Sequence, residues 1–215
     1  MVIQYVLFDA ANTIIHKPKL WERMLTVLEA NGHQISPPLL RRNHKLLSEC
    51  LFFPDRTSHE FYQHFNAELL YSLGIIPTTT LLDSIFKACT YLPWEKFDDT
   101  TALHNLNLPL GIVSNFNHTL SELLHTLFGS NVFCDITVSE TVGAAKPQLI
   151  FYEAALAATD ILASEILYVG DSIKLDMEPA LAMGMQTLLI DREQVFPHFP
   201  HRIDSLSQLP DFLSK

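Results

Sequence analysis

Residues 2–13 read VIQYVLFDAANT, an apolar run that ends abruptly at Asp9. A short apolar run closed by a polar turn is typical of a strand buried on both faces of a parallel sheet. Four further runs of this kind follow, at Leu110–Val113, Cys134–Val138, Ile166–Val169 and Thr187–Ile190. From residue 110 onward they alternate with helical patterns, so the sequence predicts an α/β fold with helices on both faces of the sheet.

The helical patterns define two domains. In the later part of the chain they predict helices over 119–127, 148–158 and 176–183, with Pro179 in the opening turn of the last. Residues 17–92 show no convincing strand, and their spacing predicts a bundle of four helices. Helix starts are indicated by Ser36-Pro37 and by the capping-box pairs Thr57/Glu60 and Thr80/Asp83. We therefore place a helical domain at 17–95, inserted into a core formed by 1–16 and 96–215.

Composition and charge exclude several classes of protein. The chain is 48% hydrophobic and only 18% charged, which excludes a disordered protein. Its formal net charge is −10 and its longest basic run is Arg41-Arg42, so we expect no nucleic-acid and no membrane partner. No apolar window is long enough to span a membrane, and the start of the chain lacks the basic region of a signal peptide. Monomer and homodimer are equally compatible with the sequence.

The cysteines indicate the compartment. Cys50, Cys89 and Cys134 are widely spaced and form no CxxC pair. Odd numbers of isolated cysteines are more typical of buried thiols in a reducing environment than of a disulfide framework or a zinc site. The sequence therefore predicts a cytoplasmic protein.

Polar residues follow the predicted strands. Asp9 opens the segment that ends at Thr13, Ser114-Asn115 follow the second run, Lys146 lies after the third, and Asp171 and Asp176 follow the fourth. Ligands of parallel α/β sheets bind beyond the carboxyl ends of the strands, so these residues should meet at one rim. Each alone has an ordinary explanation as a turn or cap residue, but the combination favours a site.

Their chemistry suits phosphoryl transfer. An aspartate such as Asp9 can attack phosphorus and form an aspartyl-phosphate. Because aspartate and phosphate repel each other, Mg²⁺ is the expected cofactor, and Asp9, Asp171 and the backbone carbonyl of Ala11 can supply oxygen ligands.

The remaining polar residues fit phosphate binding. Ser114 and nearby backbone N–H groups, including that of Asn115, can hold phosphoryl oxygens, and Lys146 can bind phosphate and neutralise charge in the transition state. Asp176 can orient Lys146 or a metal-bound water. The expected substrate is a small phosphorylated molecule.

These segments resemble the motifs of the haloacid dehalogenase-like hydrolase superfamily. Asp9-Ala10-Ala11-Asn12-Thr13 is similar to its first motif, Asp-x-Asp-Gly-Thr, and Ile112–Asn115 to its second. Lys146-Pro147 is similar to the third, and Gly170-Asp171-Ser172 with Asp176 to the fourth. The resemblance implies a Rossmann-like core, Asp9 as the nucleophile, and a helical cap that closes over the site and selects the substrate.

Two residues depart from the first motif. Asn12 stands where the family has glycine, and asparagine tolerates the positive φ of such a turn. Ala11 stands where family phosphatases have the aspartate that protonates the leaving alcohol and later activates water. Because such help is typically worth about 10²–10⁴-fold, the resemblance implies a slower or narrower hydrolase.

The loss of this acid leaves alternatives open. A phosphonoacetaldehyde hydrolase, with Lys45 as the imine-forming lysine, and a dehalogenase both lack the second aspartate, although Asp171 disfavours the dehalogenase. A histidine such as His16 or His44 can replace the acid. A third alternative is a phosphate-binding protein with little or no turnover.

Overall fold

The chain divides into two units, which a computed structural model describes for residues 2–51 and 53–214. The first unit comprises Met1–His16, Lys96–Arg192 and Phe196–Lys215, and the second comprises Lys17–Glu95 and Glu193–Val195. Among the described residues, no helix is both long and apolar enough to cross a membrane. Those residues also contain no disulfide, and Cys50 and Cys134 are exposed, so the prediction that all three thiols are buried is wrong.

The first unit is built on a parallel sheet of six strands. They are β1 (Tyr5–Phe8), β4 (Leu110–Ser114), β5 (Asp135–Val138), β6 (Ile166–Gly170), β7 (Gln186–Ile190) and β8 (Arg202–Ile203). Their order in the sheet is β5-β4-β1-β6-β7-β8. Two further strands, β2 (Ile15–His16) and β3 (Glu95–Lys96), form a separate two-stranded sheet. The predicted α/β fold with a Rossmann-like parallel sheet is confirmed.

The strand register brings three strand ends together. Phe8 of β1 pairs with Ile112 of β4 on one side and with Val169 of β6 on the other. The next residues along these three strands therefore emerge at the same carboxyl edge. The chain order also reverses here, because β4 and β5 extend the sheet to one side of β1 and β6 to β8 extend it to the other. Such a switch point is where parallel α/β sheets bind ligands.

Helices cover this sheet. The α-helices of the unit are α5 (Leu120–Phe128), α6 (Ser139–Val142), α7 (Leu149–Ala157), α8 (Glu178–Ala182) and α9 (Leu209–Leu213). Short 3₁₀ helices lie at Asp98–Asn105, Ala163–Glu165 and Leu206–Gln208. Side chains of α7 and α8 pack on one sheet face in a buried cluster that includes Leu7, Val113, Phe151 and Leu189.

The predicted helix over 176–183 differs in the structure. It begins earlier, as a π-helical turn at Ile173–Met177, and continues as α8 with Pro179 in its opening turn. A proline has no N–H, so Pro179 cannot donate to the carbonyl four residues before it, that of Leu175. The hydroxyl of Tyr152 donates to that carbonyl instead.

The second unit contains four α-helices among the described residues. They are α1 (Lys19–Ala30), α2 (Pro37–Cys50), α3 (His59–Ser72) and α4 (Thr79–Cys89). Their core is a cluster of buried aliphatic side chains that includes Met24, Leu28, Leu40, Leu69 and Ile85.

The helix starts of this unit correct the predicted caps. Ser58 caps α3 by accepting from the N–H of Phe61 at 3.1 Å, and Thr78 caps α4, so Thr57 and Thr80 were the wrong choices. The capping-box spacing favoured Thr57 and Thr80, because an acid follows each three residues later. The observed caps have apolar Phe61 and Leu81 at that position and bond only through their own hydroxyl oxygens. Ser36 precedes α2 but makes no side-chain cap bond. One reason is that Pro38 has no N–H to offer.

Candidate active site

Asp9 and Ser114 lie side by side at the carboxyl edge of the sheet. Asp9 follows β1 directly, and its N–H donates to the carbonyl of Val169 at 2.9 Å. Ser114 ends β4, and its hydroxyl donates to Oδ1 of Asp9 at 3.2 Å. Only 7% of Asp9 and 1% of Ser114 is exposed. The pairing of β1 with its two neighbours thus places a serine hydroxyl against a buried carboxylate.

Lys146 joins this pair from the segment after α6. Its ammonium lies 2.7 Å from Oδ1 of Asp9 and 2.6 Å from Oδ1 of Asp176. Asn115 holds the backbone of the lysine at both groups, because its Oδ1 accepts from the Lys146 N–H at 2.8 Å and its Nδ2 donates to the Lys146 carbonyl at 3.2 Å. The side chain of Asn115 is thereby used for positioning, and phosphate binding by its backbone N–H stays a prediction.

Three donors among the described residues reach the carboxylate of Asp176. Its Oδ1 accepts from Lys146 and from the hydroxyl of Tyr168 at 3.1 Å, and its Oδ2 accepts from the N–H of Ser172 at 3.0 Å. Gly170 makes this position possible, since a Cβ there would lie 2.5 Å from Cγ and Oδ2 of Asp176. The carboxylate therefore fits against the end of β6 only beside a glycine.

Asp171 completes a cluster of three carboxylates. One oxygen each of Asp9, Asp171 and Asp176 can be chosen so that all three lie within 4.8 Å of one another. Asp9 and Asp176 are buried and Asp171 is half-buried. Hard carboxylate oxygens converging on one point are the donor set that Mg²⁺ prefers, so the residues present fit this ion.

The charges of the centre do not balance by themselves. Burial raises the pKa of Asp9 to about 7; the charge of Lys146 opposes this rise, and the carboxylates of Asp176 and Asp171 add to it. Burial alone would lower the pKa of Lys146, but Asp176 and Asp9 outweigh burial and raise it. Lys146 therefore stays protonated at neutral pH, and three carboxyl groups face one ammonium. A divalent cation at this centre would offset the repulsion between the carboxyl groups that raises the pKa of Asp9.

The turn after Asp9 keeps its shape without the usual glycine. Asn12 has φ +63°, the left-handed conformation that asparagine tolerates, and its N–H donates to the carbonyl of Ile15 at 2.6 Å. Ala11, which is half-buried, offers no side-chain acid. Thr13 is buried, and within the described residues its Oγ1 has no hydrogen-bond partner.

Two polar residues near these motifs were missed in the sequence. Tyr168 contacts Asp176 from within β6, where its strand reads as uniformly apolar. Arg192 donates to the carbonyl of Thr13 at 2.9 Å and is fixed by a two-pronged ion pair with Asp99. The sequence did contain a signal for each. Tyr168 stands two residues before Gly170, on the same strand face, and Arg192 stands two residues after the end of β7.

The histidines proposed as replacement acids make aromatic contacts. His44 lies edge-on to Trp21 and Phe65, with ring centroids 5.0 and 4.9 Å away, and burial, aided by the charge of Lys45, lowers its pKa to about 4. His16 stacks on Phe97 at 3.8 Å. His44 is thus a neutral packing residue of the helical unit, and a replacement acid stays a prediction.

The fold and the site together define an α/β protein whose sheet carries an aspartate, a serine, a lysine and further carboxylates at its carboxyl edge. Residues 95–190 match the family profile described as haloacid dehalogenase-like hydrolase. Over these residues, somewhat less than half of the chain, the sequence is thus similar to the haloacid dehalogenase-like hydrolases.

Several curated proteins resemble the chain over part of their length. Haloacid dehalogenase-like hydrolase domain-containing protein 3 of Xenopus laevis is 33% identical over 96 residues, 45% of this chain and 38% of that protein. Ribulose-1,5-bisphosphate 5-phosphatase of Halopiger xanaduensis is 28% identical over 125 residues, 52% of each chain. Glyceraldehyde 3-phosphate phosphatase of Methanocaldococcus jannaschii is 34% identical over 87 residues, 38% of each. The chain thus spans about half of these relatives or less.

A solved structure resembles the whole chain. The HAD-hydrolase YfnB from Bacillus subtilis, bound to magnesium, superposes with a TM-score of 0.66 at 20% identity and covers 100% of both chains. At this identity the likeness concerns the fold.

Proposed function

We propose that the chain is a Mg²⁺-dependent hydrolase of small phosphorylated molecules that acts through an aspartyl-phosphate on Asp9. The observation that carries this proposal is the buried ammonium of Lys146, which lies 2.7 Å from Asp9 and 2.6 Å from Asp176. A carboxylate beside a fixed cation suits attack on an anionic phosphoryl group, because the cation offsets charge that develops at the reacting centre. The two phosphatases among the relatives support this reaction class.

In the first half-reaction, Asp9 forms a bond to phosphorus as the bond from phosphorus to the leaving oxygen breaks. Lys146 and Ser114 both donate to Oδ1 of Asp9, so we assign the attack to Oδ2. Ser114 and the backbone N–H of Asn115 hold the phosphoryl oxygens, and Lys146 neutralises the growing charge.

In the second half-reaction, water attacks phosphorus, the bond from phosphorus to Asp9 breaks, and inorganic phosphate leaves. The leaving group of the first step takes its proton from solvent, and the attacking water loses its own to solvent, because Ala11 has no carboxylate. Acyl and aryl phosphates, whose leaving groups are stable as anions, should therefore react faster than alkyl phosphates.

The carboxylates divide into two functions. Asp9, Asp171 and the backbone carbonyl of Ala11 would hold Mg²⁺, which when bound offsets the repulsion between the nucleophile and the phosphate. We assign Asp176 to Lys146 instead of the metal, because both of its oxygens already accept hydrogen bonds.

The test is turnover of acyl, aryl and alkyl phosphates by the purified chain, with and without EDTA. We expect hydrolysis of acyl and aryl phosphates that EDTA abolishes and Mg²⁺ restores. Asp9→Asn should lower turnover by more than about 10³-fold. The matched control is Asp135→Asn, which alters a strand carboxylate bonded to Tyr5 and should leave turnover within about twofold. Full activity of Asp9→Asn would reject the nucleophile.

A second candidate, a phosphate-binding protein with little turnover, is favoured by Ala11. Calorimetry with Mg²⁺ and inorganic phosphate distinguishes the two. Binding of both ligands without hydrolysis of any phosphate would support the second candidate. Phosphonoacetaldehyde and a 2-haloacid in the same screen test cleavage of carbon–phosphorus and carbon–halogen bonds.

A further inference from the structure

Tyr168 places a hydroxyl behind the reacting groups. It lies in the middle of β6 with 0% of its surface exposed. Its hydroxyl is 3.1 Å from Oδ1 of Asp176 and 3.3 Å from the carbonyl of Val113, and its ring centroid lies 5.4 Å from the Lys146 ammonium. The tyrosine thus contacts both members of the Lys146–Asp176 pair.

The single hydroxyl proton has three possible acceptors: the Asp176 carboxylate, the Val113 carbonyl and the hydroxyl oxygen of Tyr152. The Asp176 oxygen is nearer than the Val113 carbonyl and carries a negative charge, so it is the strongest acceptor. Burial, together with the nearby Tyr152, Asp176 and Asp9, raises the pKa of Tyr168 well above its ordinary value, so the hydroxyl keeps its proton. Tyr168 therefore donates to Asp176.

A carboxylate needs two fixed points to define its plane. The Ser172 N–H holds Oδ2 of Asp176. Within the described part of the chain, the other donor to Oδ1 besides Tyr168 is Lys146 itself, a long and flexible side chain. The tyrosine hydroxyl is attached to a rigid ring inside a strand. It thus supplies the second fixed point independently of the lysine.

We propose that Tyr168 is a positioning residue for Lys146: its hydroxyl orients the Asp176 carboxylate, which in turn holds the ammonium against Asp9. The proposal rests on the function proposed above in so far as Lys146 acts on the phosphoryl group. It predicts that loss of one buried hydroxyl lowers the catalytic rate more than it lowers substrate binding.

Tyr5 offers a matched control. It too is a buried strand tyrosine, and its hydroxyl donates to a carboxylate, Oδ2 of Asp135, at 2.8 Å. Tyr5 begins β1 and Asp135 begins β5, so this bond lies at the opposite, amino edge of the sheet. Tyr5→Phe and Tyr168→Phe remove the same group from the same kind of bond.

The first measurement is steady-state kinetics on an aryl phosphate with Mg²⁺. We expect Tyr168→Phe to lower kcat about 10-fold and to leave KM within about twofold, because the ammonium acts chiefly in the transition state. Tyr5→Phe should leave kcat and KM within about twofold of the wild-type values, while it lowers Tm by about as much as Tyr168→Phe does. An unchanged kcat for Tyr168→Phe, or equal kcat losses in both variants, would overturn the proposal.

The second measurement is independent of turnover. The ammonium signal of Lys146 in a ¹H–¹⁵N spectrum can be assigned by its loss in Lys146→Arg. We expect Tyr168→Phe to shift this signal and speed its proton exchange, and Tyr5→Phe to leave both unchanged. If the wild-type chain hydrolyses no phosphate, the proposed function fails, yet this signal still decides on Tyr168. An unshifted signal in Tyr168→Phe would reject the positioning role.

Discussion

The sheet edge of the first unit and the helical bundle of the second each place a titratable side chain among neighbours, with opposite results. Lys146 stays charged because two carboxylates lie within 2.7 Å of its ammonium. His44 has aromatic neighbours, Trp21 and Phe65, and its pKa falls to about 4. A buried side chain keeps its charge only where the fold supplies counter-charges and hydrogen-bond donors. Burying those charged partners costs desolvation free energy, which a core of neutral packing residues avoids.

This difference separates a candidate catalytic group from a packing residue. Three carboxylates converge near Lys146, and Asn115 holds its backbone from both sides. No comparable set of carboxylates surrounds His44 among the described residues of the bundle. The groups to which we assign the electrostatic part of the proposed phosphoryl transfer thus lie in the first unit, and Ala11 offers no side-chain acid for its proton transfer.

Removal of the cation should produce the largest effect. Lys146→Met leaves Asp9 and Asp176 buried without their counter-charge, which typically costs about 3–5 kcal/mol of unfolding free energy. Turnover of an aryl phosphate should fall by more than about 10³-fold, since the fixed positive charge beside the nucleophile is lost. Urea unfolding and steady-state kinetics measure the two effects.

A double variant shows whether the stability loss comes from unpaired charge. Adding Asp176→Asn to Lys146→Met removes one of the stranded carboxylates and should recover part of the unfolding free energy without restoring turnover. Lys96→Met, at an exposed lysine, is the control and should change the unfolding free energy by less than about 0.5 kcal/mol. Equal stability losses at both lysines would contradict the paired network.

The second prediction restores the missing acid. Ala11→Asp should raise kcat on an alkyl phosphate by about 10²-fold, because the carboxyl group can protonate a poor leaving group. On an acyl phosphate, whose leaving group needs no proton, the gain should stay below about tenfold. The ratio of the two rates is the measurement. An unchanged ratio would indicate that the residue at position 11 does not limit the hydrolysis of alkyl phosphates.

Some residues of the candidate site can be placed from the sequence and others cannot, depending on whether a strand end or a loop carries the side chain. Asp9, Ser114 and Asp171 follow apolar runs, and parallel strands bring their carboxyl ends to one edge whatever the loops do. Their placement therefore follows from strand order alone. Lys146 is different, because a loop carries it, and its approach to Asp9 depends on the hydrogen bonds of Asn115 to its backbone. Only the resemblance of Lys146-Pro147 to the third family motif predicted that this lysine lies near Asp9, because the hydrophobic pattern around it contains no such information.

Other features depend on tertiary contacts that local patterns do not contain. Tyr168 reads as one more apolar residue in a buried run, and only the folded sheet shows its hydroxyl beside Asp176. The cap of α3 is Ser58 instead of Thr57, although Glu60 gives the capping-box spacing only to Thr57, so the local rule indicated the wrong residue. In the last predicted helix, the Leu175 carbonyl accepts from the hydroxyl of Tyr152, a residue of another helix that no local pattern connects to it.

The smallest expected effect concerns the bundle. The unfolded-state pKa of His44 is near its ordinary 6.5, and its folded pKa is about 4, so the unfolded chain binds more protons between these values. Stability from the neutral ring is therefore complete above about pH 6.5 and is lost as pH falls toward 4. The shift corresponds to at most about 3 kcal/mol, and because His44 is only half-buried, solvent screening reduces this to about 1–2 kcal/mol.

His44→Phe should remove this acid sensitivity, because phenylalanine keeps the aromatic contacts but cannot take up a proton. The measurement is urea unfolding at pH 7 and pH 4.5, followed by the fluorescence of Trp21 and Trp94, the two tryptophans of the chain, which both lie in the helical unit. His64, an exposed residue of α3, supplies the control His64→Phe, in which the difference between the two pH values should match that of the wild-type chain. Equal pH differences in all three proteins would show that His44 is protonated at no cost. The aromatic surroundings of His44 would then have no effect on its protonation, and the difference between His44 and Lys146 would rest only on the carboxylates beside Lys146.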